Sequence, residues 1–158
     1  MKQVTIYTDG ACIGNPGPGG YGAVLLYGAH RKELSAGFRR TTNNRMELMA
    51  AIAGLELLKE PCAVTLYSDS QYLVDNYSNG AARRWQANGW MRDRKNRAFN
   101  PDLWQRLLEL CATHQVRLEW VRGHAGNAEN ERCDQLSTRA ARGVNLPADE
   151  VYEQGRTA

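Results

Sequence analysis

Four acidic residues stand in sequence contexts that otherwise favour apolar side chains. Asp9 and Asp69 each end an apolar strand-like run, Glu47 interrupts an apolar helical segment, and Asp134 falls near a helix start. A desolvated carboxylate is costly unless a cation or several donors compensate it, and neighbouring carboxylates raise one another's pKa. An all-carboxylate set without Cys or His pairs favours Mg2+ over zinc. Because Mg2+ is usually shared between protein carboxylates and substrate phosphates, the expected substrate is a phosphate ester.

Each acid also has a structural interpretation when it is taken alone. Asp9 and Asp69 have the residue type that commonly ends strands and starts turns. Glu47 completes a capping box with Asn44 as the N-cap, and Asp134 fits a solvated helix position. The convergence of two strand-end acids with an acid in a buried helix favours the metal site over these separate explanations.

The elements around the acids predict how they are brought together. The alternation from Val4 to Thr8 indicates a strand that ends at Thr8-Asp9-Gly10, and residues 63–67 indicate a second strand that ends at Ser68-Asp69. A helix lies between them, and Glu47 is the only charged residue in its stretch 46–55. The Gly- and Pro-rich loop 14–20 and two antiparallel strands, 21–27 and 31–39, come before that helix. A right-handed crossover makes the two acid-bearing strands parallel, so Asp9 and Asp69 share the carboxyl edge of one sheet.

The second half of the chain predicts mainly helices. Short helices are expected at 71–77 and after Asn79-Gly80, a longer helix around 103–111, and a strand at 116–120. Asn127 is the expected N-cap of a helix running from Ala128 to about Arg142, with Asp134 in its second turn. His124 lies between these elements in a Gly-flanked loop, which would let it move toward a reacting phosphate. The loop 14–20 lacks the Gly-Lys-Ser/Thr ending of a nucleotide-binding loop and is interpreted as a tight connector.

A basic segment suggests a polyanionic partner. It combines two tryptophans and six cations with the single acid Asp93; the members are Arg83, Arg84, Trp85, Trp90, Arg92, Arg94, Lys95 and Arg97. One interpretation is a solvated surface helix anchored to the core by its tryptophans. Interleaved aromatic and cationic side chains instead favour nucleic acid, since cations neutralise phosphates and aromatic faces offer stacking.

Length and composition indicate a single domain over residues 1–158, with a basic protrusion at 81–100 and a polar C-terminal tail at 145–158. The formal charge of +3 permits a polyanionic partner without requiring one. Four irregularly spaced cysteines, with no CxxC pair, are expected to be reduced. With no apparent signal peptide and no run of 18 apolar residues, we expect a cytoplasmic chain that does not bind membranes.

Several motifs, in order, resemble bacterial type 1 ribonuclease H. They are TDGAC.GNPGPGGYGAV, SAGFRRTTNNRMELMAAI, SDSQY, the basic segment ending at PDLWQRL, and WVRGHAGNAENERCDQL. The resemblance covers nearly the whole chain, from Val4 to Arg142. The resemblance implies an α/β ribonuclease H-like fold, in which a five-stranded mixed sheet has three antiparallel strands followed by parallel ones. Helices flank this sheet, and a basic helical protrusion extends from it.

The resemblance also implies an activity and a set of site residues. The family cuts the RNA strand of RNA/DNA hybrids with little sequence specificity, leaving 5'-phosphate and 3'-hydroxyl ends. Asp9, Glu47, Asp69 and Asp134 match its metal-binding catalytic carboxylates, and His124 matches a mobile histidine that assists proton transfer or product release. Positions matching hybrid contacts are Cys12, Asn15, Thr42, Asn43, Asn44 and Gln71, with Asn15 and Thr42 at a DNA-strand phosphate. Arg83, Arg84, Trp85 and Trp90 fall in the basic protrusion, whose usual first aromatic is Ala81 here.

The expected mechanism is in-line attack of water with two Mg2+ ions about 4 Å apart, for which Mn2+ can substitute. Asp9 is the expected bridging ligand. We expect a monomer, and the sequence does not identify any protein partner at the replication fork. Two alternatives remain open at this point: a non-catalytic hybrid-binding module, and a DNA nuclease related to resolvases and integrases. The first would not require the complete set of four acids, and the second commonly carries additional DNA-binding domains.

Overall fold

The structure, a computed structural model, describes residues 1–123 and 125–158. The described residues form five strands and six helices. In chain order these are β1 Lys2–Cys12, β2 Gly17–Tyr27, β3 His30–Thr41, α1 Asn43–Glu56, β4 Cys62–Ser68, α2 Gln71–Ser78, α3 Ala81–Ala87, α4 Pro101–Thr113, β5 Gln115–Trp120, α5 Ala128–Ala141 and α6 Glu150–Glu153. None of the helices in the described part of the chain is long and apolar enough to cross a membrane.

The strands form one mixed sheet in the order β3-β2-β1-β4-β5. β1 pairs antiparallel with β2, and β2 pairs antiparallel with β3. β1 and β4 are parallel, as are β4 and β5. This topology confirms the predicted fold class and the predicted parallel pairing of the two acid-bearing strands.

Two strand boundaries differ from the sequence prediction. β1 continues past Asp9-Gly10 to Cys12, and β2 begins at Gly17, within the segment that was expected to be a connector. The glycines there pair as strand residues, since Cys12 aligns with Gly19. At Gly20 a larger residue is excluded because α5 crosses directly over the strand: a Cβ there would lie 2.4 Å from the Ser137 carbonyl oxygen.

The start of α1 also differs from the prediction. Its N-cap is Thr42, which has extended backbone angles and whose hydroxyl accepts a hydrogen bond from the Arg45 N–H at 3.3 Å. The expectation that Asn44 caps this helix was therefore wrong, because the helix already begins at Asn43. The other predicted N-cap, Asn127 of α5, is confirmed, since its side chain accepts a hydrogen bond from the Asn130 N–H.

The hydrophobic core has a layer on each face of the sheet. The larger layer contains Ile6 of β1 and the apolar face of α1, with α4 packed beside it. The smaller layer lies under α5, where Cys133 and Leu136 contact Val24 and Tyr7. Since Ile6 and Tyr7 are consecutive residues in one strand, they point to opposite faces, and so α1 and α5 cover opposite faces of the sheet.

Gly10 allows α1 to approach β1 closely. A Cβ at this position would lie 2.5 Å from the backbone nitrogen of Glu47 and 2.6 Å from the Met46 carbonyl carbon. We expect Gly10→Ala to lower the free energy of unfolding by about 2–3 kcal/mol, because helix and strand must separate to admit the methyl group. Chemical denaturation measures this. Gly28→Ala is the control, since a Cβ there meets no atom within 4 Å and costs only about 1 kcal/mol through its positive φ. Equal losses in the two variants would contradict the close approach.

The C-terminal segment packs on the core. Asp149 is 8% exposed and forms a 2.7 Å ion pair with Arg45, whose side chain is 2% exposed. Thr41 donates a 2.7 Å hydrogen bond to the same carboxylate, and the Pro147 carbonyl accepts from the Arg39 N–H. These contacts show that the polar tail expected at residues 145–158 packs on the core.

The basic segment is helical only over α3. Beyond α3, residues 88–100 form a loop closed by a bridge between Met91 and Arg97, and the Asp93 carboxylate accepts the backbone N–H groups of Lys95 and Asn96. All six cations of the segment are exposed. The protrusion therefore presents its charge to solvent from a short helix and a tight loop.

Candidate active site

Strand register places two of the acids side by side. Thr8 of β1 aligns with Ser68 of the parallel strand β4, so Asp9 and Asp69 occupy the next position on each chain. Asp9 is 5% exposed and accepts a hydrogen bond from the Gly10 N–H at 2.9 Å. The two carboxylates thus meet at the carboxyl edge of the sheet, as the sequence predicted.

Glu47 reaches the same edge from α1. It lies on the first turns of that helix and is 4% exposed. One carboxylate oxygen from each of Asp9, Glu47 and Asp69 lies within 4.8 Å of the others. The close contact between Gly10 and the backbone of Glu47 fixes how near the helix brings its carboxylate.

The electrostatics of this cluster are unfavourable without a cation. Burial, together with the charges of Asp69 and Asp134, raises the pKa of Asp9 to about 8. Burial and the charges of Asp9 and Asp69 raise the pKa of Glu47 well above its ordinary value. Without a cation, both groups are therefore held largely in the protonated form near neutral pH.

The donor set fits a divalent metal ion. Oε1 of Glu47 is buried and accepts no hydrogen bond from any described residue, although a buried acceptor normally has a partner. Carboxylate oxygens are the ligands that hard divalent cations prefer. A cation would supply the missing partner and remove the repulsion among the acids.

Asp134 lies in the wall of the same cavity, which has a volume of about 390 Å3. It projects from α5 and is half-buried, and its charge contributes to the raised pKa of Asp9. It is not part of the close trio, since it comes from the helix on the opposite face of the sheet to α1. The structure thus brings three predicted acids together and places the fourth beside them.

Amide side chains surround the acids on the α1 side. Asn43, Asn44 and Gln71 line the cavity, and Asn44 and Gln71 are exposed. The Asn15 side-chain oxygen accepts a hydrogen bond from the Asn43 N–H at 3.1 Å, which places Asn15 at the α1 N-terminus next to Thr42. Their neighbour Cys12 is half-buried, and its thiol donates to the carbonyls of Gly17 and Thr41.

The structure adds three residues that the sequence analysis did not identify. Ser70 lines the cavity and caps α2 by accepting from the Leu73 N–H. The Trp120 indole N–H donates to the Asp69 carbonyl at 3.1 Å. A Cβ on Gly123 would lie 2.7 Å from Oδ2 of Asp69. Only the strand-end position of Trp120 and the glycine in the following loop could have signalled these long-range contacts.

His124, a predicted catalytic residue, lies outside the described residues.

The two tryptophans of the basic segment pack inward. Trp85 meets Trp104 edge to face at 6.2 Å, and both Trp85 and Trp90 contact the main core while remaining half-buried. The neighbouring Arg83 and Arg84 are exposed. This geometry gives the tryptophans an anchoring role, and their contact with a substrate stays a prediction.

Comparison with known proteins identifies the family. The RNase H family model matches residues 1–142. Ribonuclease H of Syntrophus aciditrophicus is 68% identical over 152 residues, covering 96% of this chain and 88% of that protein. Ribonuclease HI of Synechocystis is 62% identical over 140 residues, covering 88% of each chain. The chain therefore belongs to the ribonuclease H family, whose known activity is hydrolysis of RNA in RNA/DNA hybrids.

Solved structures agree with this assignment. LC9-RNase H1, described as a type 1 RNase H with the type 2 active-site motif, has a TM-score of 0.81 at 29% identity, with 99% of this chain and 86% of that chain covered. LC11-RNase H1, solved in complex with an RNA/DNA hybrid, has a TM-score of 0.65 at 23% identity, with coverage of 87% and 96%. The second comparison shows the fold alone.

Proposed function

We propose that this chain is an endoribonuclease that hydrolyses the RNA strand of RNA/DNA hybrids with the help of Mg2+. The observation that carries the proposal is the trio of Asp9, Glu47 and Asp69, whose oxygens lie within 4.8 Å of one another at the carboxyl edge of the sheet. The unpartnered Glu47 oxygen and the raised pKa of Asp9 support cation binding there. Binding alone would not require such a costly arrangement.

The acids would hold two Mg2+ ions, or Mn2+ in their place, with Asp134 completing the set. Bound there, the ions would activate the attacking water and stabilise the leaving 3'-oxygen, which gives 5'-phosphate and 3'-hydroxyl ends. The chain's own contribution is to fix the carboxylates: Asp9 and Asp69 on adjacent strands, and Glu47 on a helix locked against Gly10. We assign proton transfer or product release to His124.

Strand selectivity is assigned to the amides beside the acids. The 2'-hydroxyl distinguishes RNA from DNA, and an amide side chain can both donate to it and accept from it. This role is assigned to Asn43, Asn44 and Gln71, which line the cavity, and to Cys12, whose thiol donates to the Thr41 carbonyl beside the start of α1. Asn15 and Thr42, together at the N-terminus of α1, suit a phosphate of the DNA strand.

Gln71→Ala tests this assignment. We expect kcat/KM on a hybrid to fall about tenfold, the size of one lost hydrogen bond between enzyme and substrate. The wild type should cleave a hybrid with a single 2'-deoxy position beside the cleavage site more slowly than the normal hybrid. Gln71→Ala should cleave the two hybrids at nearly the same rate. Gln154→Ala, at an exposed position of the C-terminal segment, is the control and should match wild type. Fully additive effects of the deoxy position and Gln71→Ala would contradict a shared contact.

The basic segment would hold the hybrid through its backbone. Its six exposed cations, with Arg83 and Arg84 on α3, can neutralise phosphates without reading bases. Trp85 and Trp90 anchor the segment and are proposed to add apolar contact from their exposed edges. Affinity should therefore depend strongly on salt and weakly on sequence.

We further propose a monomer that acts in the cytoplasm. All the acids of the site come from one chain, so no second copy is needed to complete it. The four cysteines are free thiols, three of them buried, which suits a reducing compartment.

The proposal is tested with four labelled substrates: an RNA/DNA hybrid, duplex DNA, duplex RNA and single-stranded RNA. We expect Mg2+-dependent cutting of the hybrid RNA alone. Tight hybrid binding without cutting would replace the proposal with the binding module. Cutting of duplex DNA would move the protein to the resolvase and integrase class.

A further inference from the structure

A second groove adjoins the acidic cavity at Asp134 and runs along α5. It has a volume of about 680 Å3 and shares Asp134 with the acidic cavity. Its other lining residues include Gln135, next to Asp134, and Thr138, Arg139 and Arg142, one to two helical turns further along. The groove therefore lies next to the site, on the side that α5 covers.

The groove carries positive charge that the described part of the protein leaves unneutralised. Arg139 and Arg142 are exposed, and no described carboxylate lies within ion-pair distance of either. By contrast, Arg132 on the same helix pairs with Glu33 at 2.8 Å. A cation in the last turn of a helix is favoured by the helix dipole, but this does not account for two unpaired guanidinium groups in a groove beside an acidic centre.

The position of the groove indicates its ligand. The proposed DNA contacts, Asn15 and Thr42, lie at the α1 end of the site, and α1 and α5 cover opposite faces of the sheet. A strand bound at the acids extends on both sides of the cleaved bond, and the groove along α5 adjoins the acids at Asp134. Guanidinium groups match the geometry and charge of phosphate oxygens.

We infer that the groove along α5 is a subsite for the RNA strand, where Arg139 and Arg142 bind backbone phosphates adjacent to the cleaved bond. This inference rests on the proposed function. The two side chains would hold the strand in register without contacting the reacting atoms. The subsite should therefore affect KM and salt dependence far more than kcat.

The first experiment compares two double variants that remove equal charge. Arg139→Ala/Arg142→Ala should raise KM for the hybrid about tenfold, leave kcat within twofold of wild type, and lower the magnitude of the salt slope of log kcat/KM by about 1–2. Arg106→Ala/Arg117→Ala is the control, since both arginines are paired with surface acids outside the two cavities. Melting temperatures verify that both variants fold.

The second experiment identifies the strand. Single neutral methylphosphonates are placed near the cleavage site in the RNA or in the DNA strand. Neutralising an RNA phosphate bound in the groove should raise the KM of the wild type but not the KM of Arg139→Ala/Arg142→Ala. The same loss in both proteins, or a coupling seen only with the DNA strand, would overturn the subsite. If wild type fails to cut the unmodified hybrid, the proposed function itself fails. Wild-type cutting with equal salt slopes in the two double variants would overturn the subsite alone.

Discussion

Asp9→Asn is expected to reduce cleavage of an RNA/DNA hybrid by at least about a thousandfold while leaving hybrid binding largely intact. Asp9 is the most central acid, since its pKa responds to both Asp69 and Asp134 and its oxygen lies within the trio. Removing its charge removes a ligand from the metal site, and losses of this size follow when transition-state charge stabilisation is lost. Single-turnover cleavage and equilibrium binding measure the two quantities separately.

Asp75→Asn is the matched control for this prediction. Asp75 is exposed on α2, outside the acidic cavity, so this variant loses the same charge and should cut normally. Near-normal turnover by Asp9→Asn would remove Asp9 from the site. If hybrid binding is lost in parallel with cleavage, Asp9 contributes to substrate affinity and not to the chemical step.

The second large effect concerns stability without metal. Asp9 has a pKa of about 8 in the folded protein, against 3.8 ordinarily, so the folded state keeps a proton that the unfolded chain releases. Its stabilising contribution is complete below about pH 4 and is lost as pH rises through about 8. At about 1.4 kcal/mol per pKa unit, the loss is of the order of several kcal/mol. We expect the melting temperature of the metal-free protein to fall by about 5–10 °C from pH 5 to pH 8 through this group.

Two comparisons isolate this effect from other titrating groups. Asp9→Asn carries no charge at this position, so its melting temperature should fall much less over the same range and should exceed that of wild type at pH 8. Saturating Mg2+ should raise the wild-type value at pH 8, because the ion binds only the folded site. Parallel pH profiles for wild type and Asp9→Asn in EDTA would show that the cluster does not strain the fold.

The positions of the strand-end acids could be predicted from sequence because local pattern and topology determine them. The apolar alternation of β1, the run of β4 and the helix between them require a parallel pair, and this pair aligns Asp9 with Asp69. Glu47 was predictable for a similar reason, since a charged residue inside a buried helical face needs a partner. Asp134 was predicted at the correct helical turn, but its distance from the trio depends on how α5 packs.

Features that depend on long-range packing could not be predicted. Gly20 and Gly22 of β2 lie directly under α5, and nothing local distinguishes such a glycine run from a connector. Thr42 and Asn44 are both good N-cap residues, and tertiary context chooses Thr42. The polar segment after Arg142 shows no apolar period that would predict its packing. It is held partly by a buried ion pair between Asp149 and Arg45, which leaves no such pattern in the sequence.

The central claim, metal-dependent cleavage by the acid cluster, is tested most directly by analysing the ends produced from the RNA strand of a hybrid as Mg2+ is removed and restored. We predict internal cuts with 5'-phosphate and 3'-hydroxyl ends that stop in EDTA and resume with excess Mg2+. Cutting that persists in EDTA would contradict the account, because no metal ion would then be needed. Ends with 2',3'-cyclic phosphates would contradict it too, because the RNA's own 2'-hydroxyl would then be the nucleophile in place of a metal-activated water.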